Sequence, residues 1–246
     1  MTTIAVLVAP PRPGLVLPRL AAHSPLTETE CAELYAAATR DVCRAAVDSG
    51  GDLLVNYRPD DSLPAEYADG DAESEVREAV APVTEDARFE VQVGETFAGR
   101  AGNTVTHLIE SEGVQSVAVT TPAAAFLTRQ QVDEAAMKLR RSEVVLGPTT
   151  DGRVYYAGFR EPVDFEAAFT DPAVQTLTDR ALDAGLKTDF LPYRPVIETT
   201  ADLADALVSV RTRRRADRIV PKYTADVLDD LDLVVEPTAG GYTISR

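Results

Sequence analysis

The sequence predicts an α/β protein, a three-layer sandwich in which helices cover both faces of an open, mostly parallel sheet. Three observations carry this. Short apolar runs alternate with longer amphipathic segments through the first two hundred residues. Runs such as "TIAVLVAP" are almost continuously apolar, as strands buried on both faces must be. Between them, apolar positions such as Leu34, Ala38 and Val42 recur at helical spacing.

Strands are predicted at 3–9, 52–57, 88–93, 116–120, 143–147 and 153–159, with helices at 27–48, 71–81, 98–112, 128–140 and 172–184. Thr27 followed by Glu30 is a capping-box start for the first helix. The acidic stretch 58–75 reads as a flexible insertion. The fourth strand, "VQSVAVTTPAAAFLT", ends in Thr120-Thr121-Pro122. Those hydroxyls suit a ligand, but their position favours capping the helix that starts near Thr128. A helix at 200–213 runs into "RTRRR", 211–215, read as a solvated helix end whose cations the dipole favours. A short helix near 222–230 and a hairpin turning at Gly240-Gly241 close the chain. The expected organisation is a domain over 1–210 with an extension, 211–246, packed on it. In open parallel sheets ligands bind beyond the carboxyl ends of the strands, which directs attention to the loops after the first, fourth and fifth strands.

Composition narrows the function. The 246 residues hold 40 Asp and Glu against 24 Lys and Arg, a net charge of −16. Such a charge repels nucleic acid and anionic membranes, so neither is an expected partner. The lysines are only Lys138, Lys187 and Lys222. Acid-rich, lysine-poor surfaces resemble those of salt-loving archaea, where salt screens the self-repulsion. No run approaches the ~20 apolar residues of a membrane helix. A first strand without a basic leader gives the expectation of a cytoplasmic protein. Cys31 and Cys43 lie on one predicted helix ~18 Å apart along its axis, beyond the ~7 Å a disulfide allows. His23 and His107 lack partners at metal or triad spacing and are expected to be structural.

Several segments could carry chemistry. The first loop, "APPRPGLVLPRL", holds Pro13-Gly14 and the arginines Arg12 and Arg19. A glycine there lets backbone N–H groups approach an anion, and an arginine fork can grip phosphate. It also fits a proline-stiffened loop whose arginines pair with surface acids, and the Walker and dinucleotide glycine patterns are absent. "EVVLGPTTDGRVYYAGF" presents Asp151-Gly152 on a turn between two strands. "VIETTADL" places Glu198 just before a helix capped by Thr199 or Thr200, where a carboxylate is favourable without any catalytic role.

In their order and spacing, "PRPGLVLPRL", "LTETECAELYAAATRDV", "SVAVTTPAAAFLT", "VVLGPTTDGRVYYAGF" and "VIETTADL" resemble one family over about residues 3–210. It is the glycosyltransferase A-like family, of the selenodomain-associated transferase 1 type, within the nucleotide-diphospho-sugar transferase superfamily. The resemblance implies a nucleotide or sugar-nucleotide substrate and transfer of a glycosyl or nucleotidyl group. It implies Asp151 and Glu198 as catalytic carboxylates and ligands of Mg²⁺ or Mn²⁺. Pro13, Gly14, Arg19, Arg100 (in "ETFAGRA"), Thr120, Gly152 and Arg153 become the nucleotide- and phosphate-binding set.

The chain departs from the family pattern at marked places. Leu17-Pro18 stand where the family has Lys-Thr, Thr120 where it has an acid, Arg153 where it has the second glycine of D-G-G, and Val196 where it has another acid. Carboxylates are what a hard cation prefers, so a metal here is weakened. Three readings follow: a metal-dependent transferase, a metal-independent one in which Arg19, Arg100 and Arg153 replace the cation, and a non-catalytic descendant that binds a nucleotide or a protein. Self-association stays open.

Overall fold

The computed structural model describes residues 2–246. The chain opens with β1 (Thr2–Val8), every residue of which is buried. A loop leads to α1 (Pro18–His23) and the long α2 (Glu28–Asp48). Thr27 caps α2: its hydroxyl accepts from the Glu30 N–H at 3.2 Å, and the Glu30 carboxylate accepts from the Thr27 N–H at 2.7 Å. Then follow β2 (Asp52–Tyr57), α3 (Ala72–Val80), β3 (Arg88–Val91), α4 (Phe97–Thr106) with a π turn at His107–Ser111, and β4 (Ser116–Thr120). Next come α5 (Arg129–Lys138), β5 (Val144–Pro148), β6 (Val154–Phe159), α6 (Ala173–Asp183) and β7 (Thr188–Phe190). The chain ends with α7 (Thr200–Arg215), α8 (Lys222–Asp230) and the hairpin β8 (Val234–Thr238) and β9 (Gly241–Ser245).

Among the described residues seven strands form one sheet, ordered β3-β2-β1-β4-β6-β5-β7. β6 alone runs antiparallel, pairing with both β4 and β5. Alternation along β1 shows why both faces must be covered. Ile4, Val6 and Val8 enter the cluster formed with α2, α3 and α5, whereas Ala5 and Leu7 enter the one formed with α4 and α6. This is the α/β sandwich that the apolar runs predict. A third cluster joins α1, α2, α7 and α8 to the hairpin through Leu34, Leu207, Leu228 and Ile244.

Some expectations change. β7 and α1 were not foreseen: the first is three residues long, and the second lies behind a proline. The segment 58–75 is folded into two short 3-10 turns around the Arg12 guanidinium, which holds Asp60 and Glu75 at 2.7 and 2.8 Å. "RTRRR" is more than a solvated end. Arg214 pairs with Asp226 and Asp229 of α8, and Arg211 donates to the Leu233 carbonyl at 2.6 Å. Asp41 of α2 accepts the N–H groups of Tyr223 and Thr224, at 3.1 and 2.7 Å, at the start of α8. Cys31 and Cys43 are buried and free. Among the described residues no helix is long and apolar enough to cross a membrane.

Candidate functional site

Strand order reverses between β1 and β4, the place where a crevice opens beyond the carboxyl ends of an α/β sheet. A cleft of about 470 Å³ lies there, floored by Leu7, Val8 and Ala9 of β1 and by Thr121, Pro122 and Ala123 after β4. Four arginines line it: Arg19, Arg58, Arg100 and Arg153. Arg19 and the β5–β6 turn thus face one space.

Each arginine is placed differently. Leu17 adopts a left-handed backbone, φ +48°, and turns the chain into Pro18 at the first position of α1. A missing N–H is harmless at that position, and Arg19 follows directly. Arg58 leaves the end of β2; its Nη2 donates to the Ser62 carbonyl, and its Nε is buried without a partner. Arg100, in the first turn of α4, donates from Nε to Gln92 Oε1 at 2.7 Å and from Nη1 to the Glu95 carbonyl at 2.9 Å. Gln92 is itself fixed, its Nε2 donating to the carbonyls of Val8 and Asn56 at 2.9 and 2.7 Å. Burial lowers the Arg100 pKa, and the charge of Arg58 lowers it further. Both guanidiniums line the same cleft. No described carboxylate pairs with Arg19, Arg58 or Arg100.

Arg153 is the opposite case. It is 9% exposed, and all five of its N–H donors are used. Nε donates to the Thr150 carbonyl at 3.2 Å, and Nη1 to Glu198 at 2.6 Å and Asp202 at 3.0 Å. Nη2 donates to the Thr150 hydroxyl at 2.5 Å and to the second Asp202 oxygen at 3.0 Å. Asp151 stands 3.6 Å from the same Nη2. Burial would lower the Arg153 pKa, but these hydrogen bonds and charges hold it above the usual value. Burial likewise pushes Asp202 up, yet Arg153 keeps its carboxyl below the ordinary range. Asp202 also accepts the Thr199 N–H at 2.9 Å, completing the capping box of α7.

The remaining candidates fall outside the cleft lining. Asp151, beside Arg153 on the β5–β6 turn, has a side chain 81% exposed and φ +58°, a conformation that aspartate tolerates. Gly152, φ +70°, turns so tightly that a Cβ would lie 2.5 Å from Pro172 Cβ. Pro13 and Gly14 form a packing turn; a Cβ on Gly14 would fall 2.6 Å from the Tyr67 hydroxyl. The Thr120 hydroxyl donates to the Tyr155 carbonyl at 2.8 Å across the β4–β6 pair, and Thr128 caps α5 by itself. Thr121, its neighbour, lines the cleft instead. Phe97 and Phe169 meet edge to face at 5.1 Å and form an aromatic wall of the cleft.

The donor set does not fit a divalent cation. Glu198 and Asp202 are bonded to Arg153, Asp151 sits against the same guanidinium, and the hydroxyl of Thr120 is consumed by a backbone carbonyl. Among the described residues no three Asp, Glu, His or Cys side chains converge on a common position. Sequence reasoning passed over Arg58 and Asp202. Asp202 stands at the final acid of the resemblance's last motif, a signal that was available. Arg58 has no motif; only its place at the carboxyl end of the strand beside β1 marks it.

A family profile described as uncharacterized proteins conserved in bacteria, DUF2064, matches residues 36–174, more than half of the chain. A proposed nucleotide-diphospho-sugar transferase from Desulfovibrio desulfuricans G20 superposes with a TM-score of 0.74 at 21% identity, covering 93% of this chain and 94% of that one. A cytidylyltransferase from Leptospira borgpetersenii aligns with a TM-score of 0.51 at 9% identity, over 93% and 92% of the two chains. A nucleotidyl transferase from Methanothermobacter gives 0.51 at 12% identity, over 87% and 97%. These likenesses show the fold, that of the nucleotide-diphospho-sugar transferases. No curated protein matches the chain.

Proposed function

The chain belongs to the DUF2064 family, and from that premise we propose that its cleft binds the diphosphate of a nucleotide-activated donor and transfers a glycosyl or nucleotidyl group from it. One observation carries the reading. A chain of net charge −16 keeps Arg19, Arg58 and Arg100 around one cleft with no carboxylate neutralising them. Arg12, Arg88 and Arg214 meet acids elsewhere on the surface; what sets Arg19, Arg58 and Arg100 apart is their convergence on one cleft. Arg100, whose pKa burial and the neighbouring charge of Arg58 lower, is stabilised in its charged form by a bound polyanion. In the reaction the same groups would hold the leaving phosphate as its charge grows, an electrostatic contribution worth most in a partly dry site. The Phe97–Phe169 wall offers an apolar face to a base or sugar. Glu198 and Asp171 are the carboxylates that line the cleft and could serve as general base for an acceptor hydroxyl.

A second reading, binding without catalysis, is favoured by the loss of freedom in Glu198, whose Oε2 is held by Arg153 at 2.6 Å. Thermal unfolding in high salt with a panel of nucleotides and sugar nucleotides tests the shared claim. Ligand at a hundred times its Kd adds about 2.7 kcal/mol. A panel that leaves the midpoint unmoved refutes nucleotide binding. Release of nucleotide from a shifting donor, with an acceptor sugar or alcohol present, separates the transferase from the binder.

A further inference from the structure

We infer that Arg153 takes the place of a divalent cation: its guanidinium is the built-in counter-ion of Asp151, Glu198 and Asp202, and the cleft takes its nucleotide anion without metal. Only the second half rests on the function proposed above. The geometry is that of a saturated clamp. Both Asp202 oxygens are gripped, one from each terminal nitrogen at 3.0 Å, in the bidentate form that only arginine offers. Glu198 is taken by Nη1 at 2.6 Å, and Asp151 stands 3.6 Å from Nη2. Mg²⁺ needs oxygens at about 2.0–2.1 Å in near-octahedral array, so no ion bridges Glu198 and Asp202 while the guanidinium stays between them. The guanidinium is held in turn, because Asp202 is 5% exposed and anchored by the first turn of α7.

With all five donors spent, Arg153 also has none left for a phosphate. Of the cleft's four arginines, Arg153 is thus committed to the acids beside the β5–β6 turn, whereas Arg19, Arg58 and Arg100 pair with no described carboxylate. The diphosphate belongs with these three arginines.

The test is Mn²⁺ titration followed by electron paramagnetic resonance in molar potassium chloride, with no nucleotide present. Wild type and Arg153→Lys are expected to show no saturable site, while Arg153→Gly, which leaves Glu198 and Asp202, both bonded to one Nη1, without a cation, gains one equivalent. A saturable Mn²⁺ site in wild type, or its failure to appear in a folded Arg153→Gly, overturns the inference. Should the glycine variant not fold, wild type still decides, by its Mn²⁺ titration and by calorimetry with uridine and cytidine diphosphates. Their affinities are expected to be the same in chelator and in Mn²⁺, and a tightening of about tenfold on Mn²⁺ overturns the inference. Failure of every nucleotide to bind rejects the proposed function but leaves the Mn²⁺ titrations in force.

Discussion

Replacing Arg153 by methionine keeps most of the side-chain volume and removes its charge and five donors. The magnitude follows from what each partner has left. Asp202 is buried, and breaking a buried ion pair from one side costs about 3–5 kcal/mol. It retains two backbone donors, the Thr199 and Glu198 N–H groups at 2.9 and 3.2 Å, and the favourable end of α7. That sets the expected loss near the lower limit, ~3 kcal/mol. Glu198 is 38% exposed at its side chain and rehydrates, so its pair adds under about 1 kcal/mol. For a chain of this size 1 kcal/mol moves the midpoint by ~2–4 °C, giving a fall of roughly 6–12 °C in calorimetry or circular dichroism at neutral pH.

The sign with pH is fixed by Asp202. Its folded pKa is depressed, so its contribution is complete above the unfolded value of ~3.9 and is lost as pH falls through the lower folded value. The gap between wild type and Arg153→Met must therefore narrow below about pH 4. It must also resist salt, because a buried pair is screened little. A midpoint change under about 2 °C, or a gap that vanishes in molar salt, would refute the clamp as a buried structural element.

Other predictions concern the frame around the site. Asp41→Ala leaves the Tyr223 and Thr224 N–H groups at the start of α8 unsatisfied and should cost about 1–3 kcal/mol. Limited proteolysis should then release the end of the chain first, and Asp41→Asn, which keeps an acceptor, should be milder. Gly152→Ala places a methyl 2.5 Å from Pro172 Cβ at φ +70° and should lose ~2 kcal/mol or more in urea unfolding. Gly240→Ala, with open space around it, should stay within about 0.5 kcal/mol. Gln92→Leu removes the acceptor that aims Arg100 and should weaken nucleotide binding by calorimetry while leaving the fold intact by circular dichroism.

The frame was legible because burial on both faces writes itself into the strands: Ile4 to Val8 could be read as a core strand without knowing its neighbours. Capping was legible for the same local reason at Thr27-Glu30. What depends on which strands touch was not. Thr120 reads as a cap or a ligand-binding hydroxyl until β6 is found antiparallel beside β4, offering the Tyr155 carbonyl. Arg58 gains meaning only because β2 lies next to β1. Arg12 and Arg19 share one loop and look alike in sequence, yet Arg12 is consumed by Asp60 and Glu75, residues more than forty positions away. Arg153 could be seen as a change from glycine. That it closes on Asp202 required the fold.

Calorimetric titration of a nucleoside diphosphate into wild type, Arg58→Ala, Arg100→Ala and, as an outlying control, Arg160→Ala bears most directly on the cleft. A hydrogen bond to a charged group contributes about 1.5–3 kcal/mol. Each cleft substitution should therefore weaken binding by roughly ten- to a hundredfold, while the control leaves it unchanged. Equal affinities in all four proteins, or a loss confined to Arg160→Ala, would contradict an anion held between α4 and the end of β2.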